Sequence, residues 1–179
     1  PLAFPFRQLA DGLTVGRAVS GLPLILALQF GANPIAWWLL LLAGLSDAAD
    51  GWLARRAGGG SSWGARLDPL TDKVLIAAPL LWLASSGGLP LWAVWLLLAR
   101  ELLISGWRSQ AADGAPASLG GKLKTSLQFV SLLLLLWPPD WGGHAALVNL
   151  GWWLFWPSLL LALTSAVDYL RPRSASRRS

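Results

Sequence analysis

Apolar residues run in successive blocks along this chain: Leu22–Phe30, Ile35–Leu45, Val74–Ala84, Leu89–Ala99, Leu127–Trp137 and Ala145–Ala166. The polar residues gather between them. Each block can extend to the roughly 20 residues that a membrane-spanning helix needs. The spacing predicts helices over 12–31, 34–56, 67–86, 89–112, 119–137 and 145–170. A short amphipathic lead-in before the first of them is expected to lie on the membrane surface. The expected architecture is therefore all-α: a polytopic membrane protein of six transmembrane helices plus a short N-terminal interfacial helix. It forms a single domain over 1–179, in which 171–179 is a basic cytoplasmic tail.

Composition agrees with that pattern. With 55% hydrophobic and 13% charged residues and a mean hydropathy of +0.53, the chain has too little polar surface to coat a soluble globule. The first residues lack the charged start, apolar core and small-residue cleavage site of a secretory signal, so no targeting segment is expected there. Cysteine is absent, which excludes disulfides, thiolate metal sites and a cysteine nucleophile. A net charge of +5 could suggest nucleic acid, but the basic residues form no soluble stripe or motif, and nucleic acid is not expected as a partner.

Placing the N-terminus inside puts all 14 Lys and Arg on the cytoplasmic half and leaves the outer connections without any. The positive-inside rule describes that asymmetry, and an even number of spans returns the C-terminus to the cytoplasm. The expected location is thus a bacterial-type inner (cytoplasmic) membrane, crossed several times. Trp37, Trp38, Trp82, Trp92, Trp95, Trp137, Trp141, Trp152, Trp153 and Trp156 fall toward the outer side, as an interfacial belt does.

The chemistry concentrates in residues 47–72. Asp47, Asp50, Gly51 and Ala54 share one side of the second predicted helix, and Gly64, Asp68 and Asp72 share one side of the third, because spacings of three and four return to the same face. The breaker Gly58–Ser62 lets the two helices form a hairpin that turns the acidic faces together. Carboxylates so clustered in a membrane repel one another and need a cation. An all-oxygen donor set suits a hard divalent ion. Mg²⁺, Mn²⁺ and Ca²⁺ all suit such a site; Mg²⁺ is expected, and a two-metal arrangement would clamp the attacking and leaving oxygens of an in-line phosphoryl displacement.

The order D-x2-D-G-x2-A-R-x8-G-x3-D-x3-D is filled by Asp47, Asp50, Gly51, Ala54, Arg55, Gly64, Asp68 and Asp72. It resembles the signature of the CDP-alcohol phosphatidyltransferase family. The resemblance implies a six-helix homodimer that transfers a phosphatidyl group from CDP-diacylglycerol to an alcohol, with release of CMP. It also implies that Asp47, Asp50, Asp68 and Asp72 hold the metal ions, that Asp72 doubles as the general base, and that Gly51, Ala54, Arg55, Gly64 and Asp68 surround the CDP moiety. Near the start, where relatives commonly have N-x2-T-x2-R, this chain has Asp11, Thr14 and Arg17; Thr14 is carried as a further nucleotide contact.

The stretches Ala99–Arg108 and Gly121–Gln128 look like those of the bacterial branch that makes phosphatidylglycerophosphate. The acceptor this implies is sn-glycerol 3-phosphate, its phosphate held by Arg100, Arg108 and Lys122. The competing reading of these cations is structural, with Arg100 paired to Glu101 and the others, Lys124 above all, acting as topology anchors. Other acceptors with the same chemistry are inositol phosphate, serine and phosphatidylglycerol. A metal-ion transporter is the non-enzymatic alternative, and the nearly charge-free outer halves of the helices argue against it. His144 is placed on an outer loop, away from the acidic hairpin.

Overall fold

The computed structural model describes Gly12, Gly16 and residues 19–56, 64–110 and 119–170, with backbone alone at 47–56, 64–70, 72, 107–110, 119–122 and 168–170. Every regular element among them is helical. These are α1 (Val19–Gln29), α2 (Asn33–Arg56), α3 (Gly64–Ser85), α4 (Leu91–Gln110), α5 (Leu119–Leu135) and α6 (His144–Leu170). The predicted helices recur at these places with ends shifted by a few residues; α3, for example, starts at Gly64 rather than 67. The lead-in, the Gly58–Ser62 breaker and the tail 171–179 lie outside the described residues.

Short connections at 30–32, 86–90 and 136–143 join α1 to α2, α3 to α4 and α5 to α6, so they share one end of the bundle, here termed the hairpin end. Gly31 closes α1 with φ of 73°. The amides of Gly31 and Ala32 reach back to the carbonyls of Leu28 and Ala27 at 3.2 and 2.7 Å, the paired bonds of a Schellman cap. A residue with a Cβ would be strained at that φ.

The core runs through Leu24 and Leu28 of α1, Leu40 of α2, Leu80 and Leu83 of α3, Leu97 of α4, Leu132 of α5 and Phe155 and Leu159 of α6. Small residues set the closest crossings. A Cβ at Gly151 would lie 2.8 Å from both the Leu134 Cβ and the Leu135 nitrogen, so α5 and α6 meet almost backbone to backbone, and the buried Ser131 hydroxyl donates to the Gly151 carbonyl at 2.7 Å. Gly44 of α2 makes room for the Phe129 ring of α5, and Gly21 of α1 lies against Ala78 of α3.

The outer surface is apolar on every helix. Leu22, Phe30, Ile35, Leu42, Leu81, Trp95, Leu103, Val130, Trp153 and Leu160 are all exposed, a distribution far beyond the isolated apolar patches of soluble monomers. Among the described residues, His144–Val167 is the one helix long and apolar enough to cross a membrane. Val19–Gln29, Asn33–Ser46, Lys73–Ser85 and Leu123–Leu135 give shorter apolar runs. His144 is the first residue of α6 rather than a loop residue, and its Nδ1 lies 2.8 Å from the Trp137 carbonyl, which draws the α5–α6 connection together.

Candidate active site

The end opposite the short connections is polar, and the helix rows show which positions lead into it. On α2, Ala36, Leu40 and Ala43 are buried. Because α2 remains helical to Arg56, positions 47, 50, 51 and 54 continue that inward row at ~100° per residue. On α3, Thr71, Leu75 and Ala78 are buried, and positions 68 and 72 fall in the same row. The side chains of Asp47, Asp50, Ala54, Arg55, Asp68 and Asp72 lie outside the described residues, as do the surroundings of Gly51 and Gly64 and the whole of Thr14. Among the described residues no three of His, Asp and Glu form a group that could hold a metal ion.

Next to these rows an interhelical polar network joins described residues of four helices. Arg100 of α4 donates from Nε to the Ala162 carbonyl of α6 at 2.8 Å, from Nη2 to the Ser165 hydroxyl at 2.6 Å, and from Nη1 to the Glu101 carboxylate at 2.8 Å. The same carboxylate oxygen accepts from the Lys124 ammonium of α5. One turn further along α4, the Ser105 hydroxyl donates to the Glu101 carbonyl at 2.7 Å and accepts from the ammonium of Lys73, the residue after Asp72 on α3. Four helices are thus joined through side chains within two turns of α4.

Burial explains why the network is so closely paired. Lys124 is only 5% exposed, and the side chains of Arg100 and Glu101 are 9% and 18% exposed. A buried ammonium or guanidinium without a carboxylate would carry a desolvation cost of several kcal/mol, on the order of that quoted for single buried ions. Glu101 offsets that cost for both cations at once.

The anticipated acceptor cations separate in this geometry. Arg100 engages three of its five N–H groups with protein atoms, so its guanidinium is fixed in place before any ligand arrives. Position 108 falls on the buried row of α4 marked by Ala93, Leu97 and Ile104. Position 122 lies ~200° of winding from Lys124, on another side of α5. The side chains of Arg108 and Lys122 lie outside the described residues. Lys124, expected as a topology anchor at the membrane surface, is instead an interior residue bound to Glu101.

Sequence reasoning missed Glu101 as a hub, along with Ser105 and Ser165. A partial signal existed in α5: Lys124, Gln128 and Ser131 recur at helical spacing, and all are buried, at 5%, 2% and 0% exposure. A buried polar row in an apolar helix marks an internal polar surface.

Comparison with known proteins places the chain in context. The sequence model for CDP-alcohol phosphatidyltransferase matches residues 7–164. A probable phosphatidylglycerophosphate synthase of Mycobacterium tuberculosis is 36% identical over 171 residues, covering 91% of this chain and 80% of that protein. The CDP-diacylglycerol–glycerol-3-phosphate 3-phosphatidyltransferase of Salmonella choleraesuis is 35% identical over 153 residues, covering 76% and 80%. The Rickettsia typhi protein of the same name is 30% identical over 172 residues, covering 92% and 96%.

Proposed function

This chain belongs to the CDP-alcohol phosphatidyltransferase family, and from that premise we propose that it transfers the phosphatidyl group of CDP-diacylglycerol to sn-glycerol 3-phosphate. The acceptor's primary hydroxyl oxygen attacks the phosphorus that carries the diacylglycerol. The pyrophosphate bond to that phosphorus breaks, and the products are phosphatidylglycerophosphate and CMP. The observation that carries this reading is the continuation of the inward rows of α2 and α3 by all four aspartate positions of the signature. The names of the relatives favour the glycerol phosphate acceptor.

In this reading Asp47, Asp50, Asp68 and Asp72 hold two Mg²⁺ ions, for which Mn²⁺ can substitute, and an all-oxygen donor set fits both. Bound metal supplies charge neutralisation to the pyrophosphate and the leaving CMP. Asp72 takes the proton of the attacking hydroxyl. Gly51, Ala54 and Gly64, small residues in the signature, leave room for the CDP moiety beside Arg55 and Thr14. Arg108 and Lys122 bind the acceptor phosphate with Arg100, which the contacts to α6 hold ready. Positioning and electrostatic stabilisation carry the rate.

The same reading makes the protein a six-span homodimer of a bacterial-type inner membrane with both termini cytoplasmic. Light scattering in detergent checks the dimer.

The test is incubation of the purified protein with radiolabelled CDP-diacylglycerol and a panel of alcohols, with and without chelator. Metal-dependent CMP release with sn-glycerol 3-phosphate supports the proposal. Release with a different acceptor alone overturns the choice of alcohol, and no release with any of them overturns the chemistry.

A further inference from the structure

Arg100 of α4 is held along one edge by α6. Its Nε donates to the Ala162 carbonyl at 2.8 Å and its Nη2 to the Ser165 hydroxyl at 2.6 Å. That hydroxyl is itself steered, because it donates to the same Ala162 carbonyl at 3.0 Å. Two oxygens from neighbouring positions of one helix thus meet the side of a planar guanidinium, and planarity sets the direction of the other N–H groups once that edge is seated.

The third bond runs from Nη1 to Glu101 at 2.8 Å. Of the five N–H groups of an arginine, one on each terminal nitrogen is then left over. A phosphate matches such a pair, since two of its oxygens can take parallel N–H groups from one guanidinium. The local charge agrees. A single Glu101 oxygen serves both Arg100 and Lys124, so one carboxylate stands against two cations. The cluster keeps a net positive charge where the Arg100 side chain is only 9% exposed, and an anion is the ligand that offsets the cost of burying it.

We propose that Ser165 is a positioning residue that acts through Arg100, aiming the guanidinium at the phosphate of the acceptor. This rests on the proposed reaction, in which metal takes the donor's pyrophosphate and leaves the acceptor's phosphate to the cations. Without the hydroxyl, Arg100 keeps its charge and its bonds to Ala162 and Glu101. It loses its second anchor on α6, and the plane of the guanidinium is set less closely.

The experiment is steady-state kinetics of the full chain, with CDP-diacylglycerol and sn-glycerol 3-phosphate varied in turn. Ser165→Ala is expected to raise the KM for sn-glycerol 3-phosphate about tenfold, the order of one hydrogen bond, while the KM for CDP-diacylglycerol stays where it was. Ser165→Thr, which retains a hydroxyl, restores the wild-type value. In an Arg100→Lys background there is no planar fork to aim, so Ser165→Ala adds nothing further. A merely structural Ser165 would lower the melting temperature and shift both KM values in either background. An acceptor KM that rises equally in both backgrounds overturns the inference. So does a rise confined to the KM for CDP-diacylglycerol, which would give the fork to the donor's pyrophosphate. If the wild type releases no CMP with sn-glycerol 3-phosphate, the acceptor assignment fails, and this inference falls with it. Robust turnover with an unmoved acceptor KM in Ser165→Ala overturns the inference alone.

Discussion

The two ends of the bundle are held together by different physics. At the hairpin end, Trp37, Trp38, Trp137 and Trp141 pack edge to face with ring centroids 5.1 to 6.5 Å apart. The Trp37 indole donates to the Leu133 carbonyl at 2.9 Å, so that indole is satisfied by nearby backbone. At the polar end the helices are joined through Arg100, Glu101, Lys124, Ser105 and Lys73, charged or hydroxyl groups that reach from one helix to the next. Aromatic contacts are worth about 0.5–1.5 kcal/mol each and tolerate substitution. A buried charge left alone costs several times more. The hairpin end can therefore vary, whereas the polar end fails when one member is removed.

The sharpest way to break that contrast is at the signature. Asp72→Asn is expected to reduce CMP release by about a thousandfold, on the scale of losing a principal electrostatic group in an active site, with little change in melting temperature; a variant keeping a tenth of the activity would contradict the role given to this position. Glu101→Ala comes next, because it strands Lys124 and Arg100 without their carboxylate. A loss of about 3 kcal/mol is expected in detergent unfolding, and Glu101→Leu combined with Lys124→Met should recover most of it. Gly151→Val forces α5 and α6 apart and should cost about 1–3 kcal/mol, visible as a lower melting temperature. The smallest effect is expected for Trp38→Ala, half exposed at the hairpin end: below about 1.5 kcal/mol, with unchanged turnover. A large loss of turnover there would erase the distinction between the two ends.

How much of this could be read beforehand follows from what each signal depends on. Apolar blocks depend on solvent preference alone, and among the described residues they located α2 to α6 to within a few residues. The acidic positions were legible because helical period is a local property, and the backbone through Asp47–Arg56 and from Gly64 is helical as that period requires. Pairings across helices were not legible. Whether Arg100 meets Glu101 or a ligand, and whether Lys124 goes inward or to the membrane surface, depends on which faces abut, and that is set by Gly44, Gly151 and Phe129 at crossings far apart in the chain. Lys124 in particular carries no local mark that separates it from Lys122, two residues earlier; only the packing distinguishes them.

The attachment of Arg100 to the main chain of α6 has a mechanical side. A guanidinium bonded to the Ala162 carbonyl and to Ser165 keeps α4 from sliding along α6. The bare backbone of Gly151 locks α5 to the same helix. These three helices are tied to one another through main-chain atoms. The contact of α2 with α5 at Gly44, by contrast, is with the ring of Phe129, a side chain rather than a helix backbone.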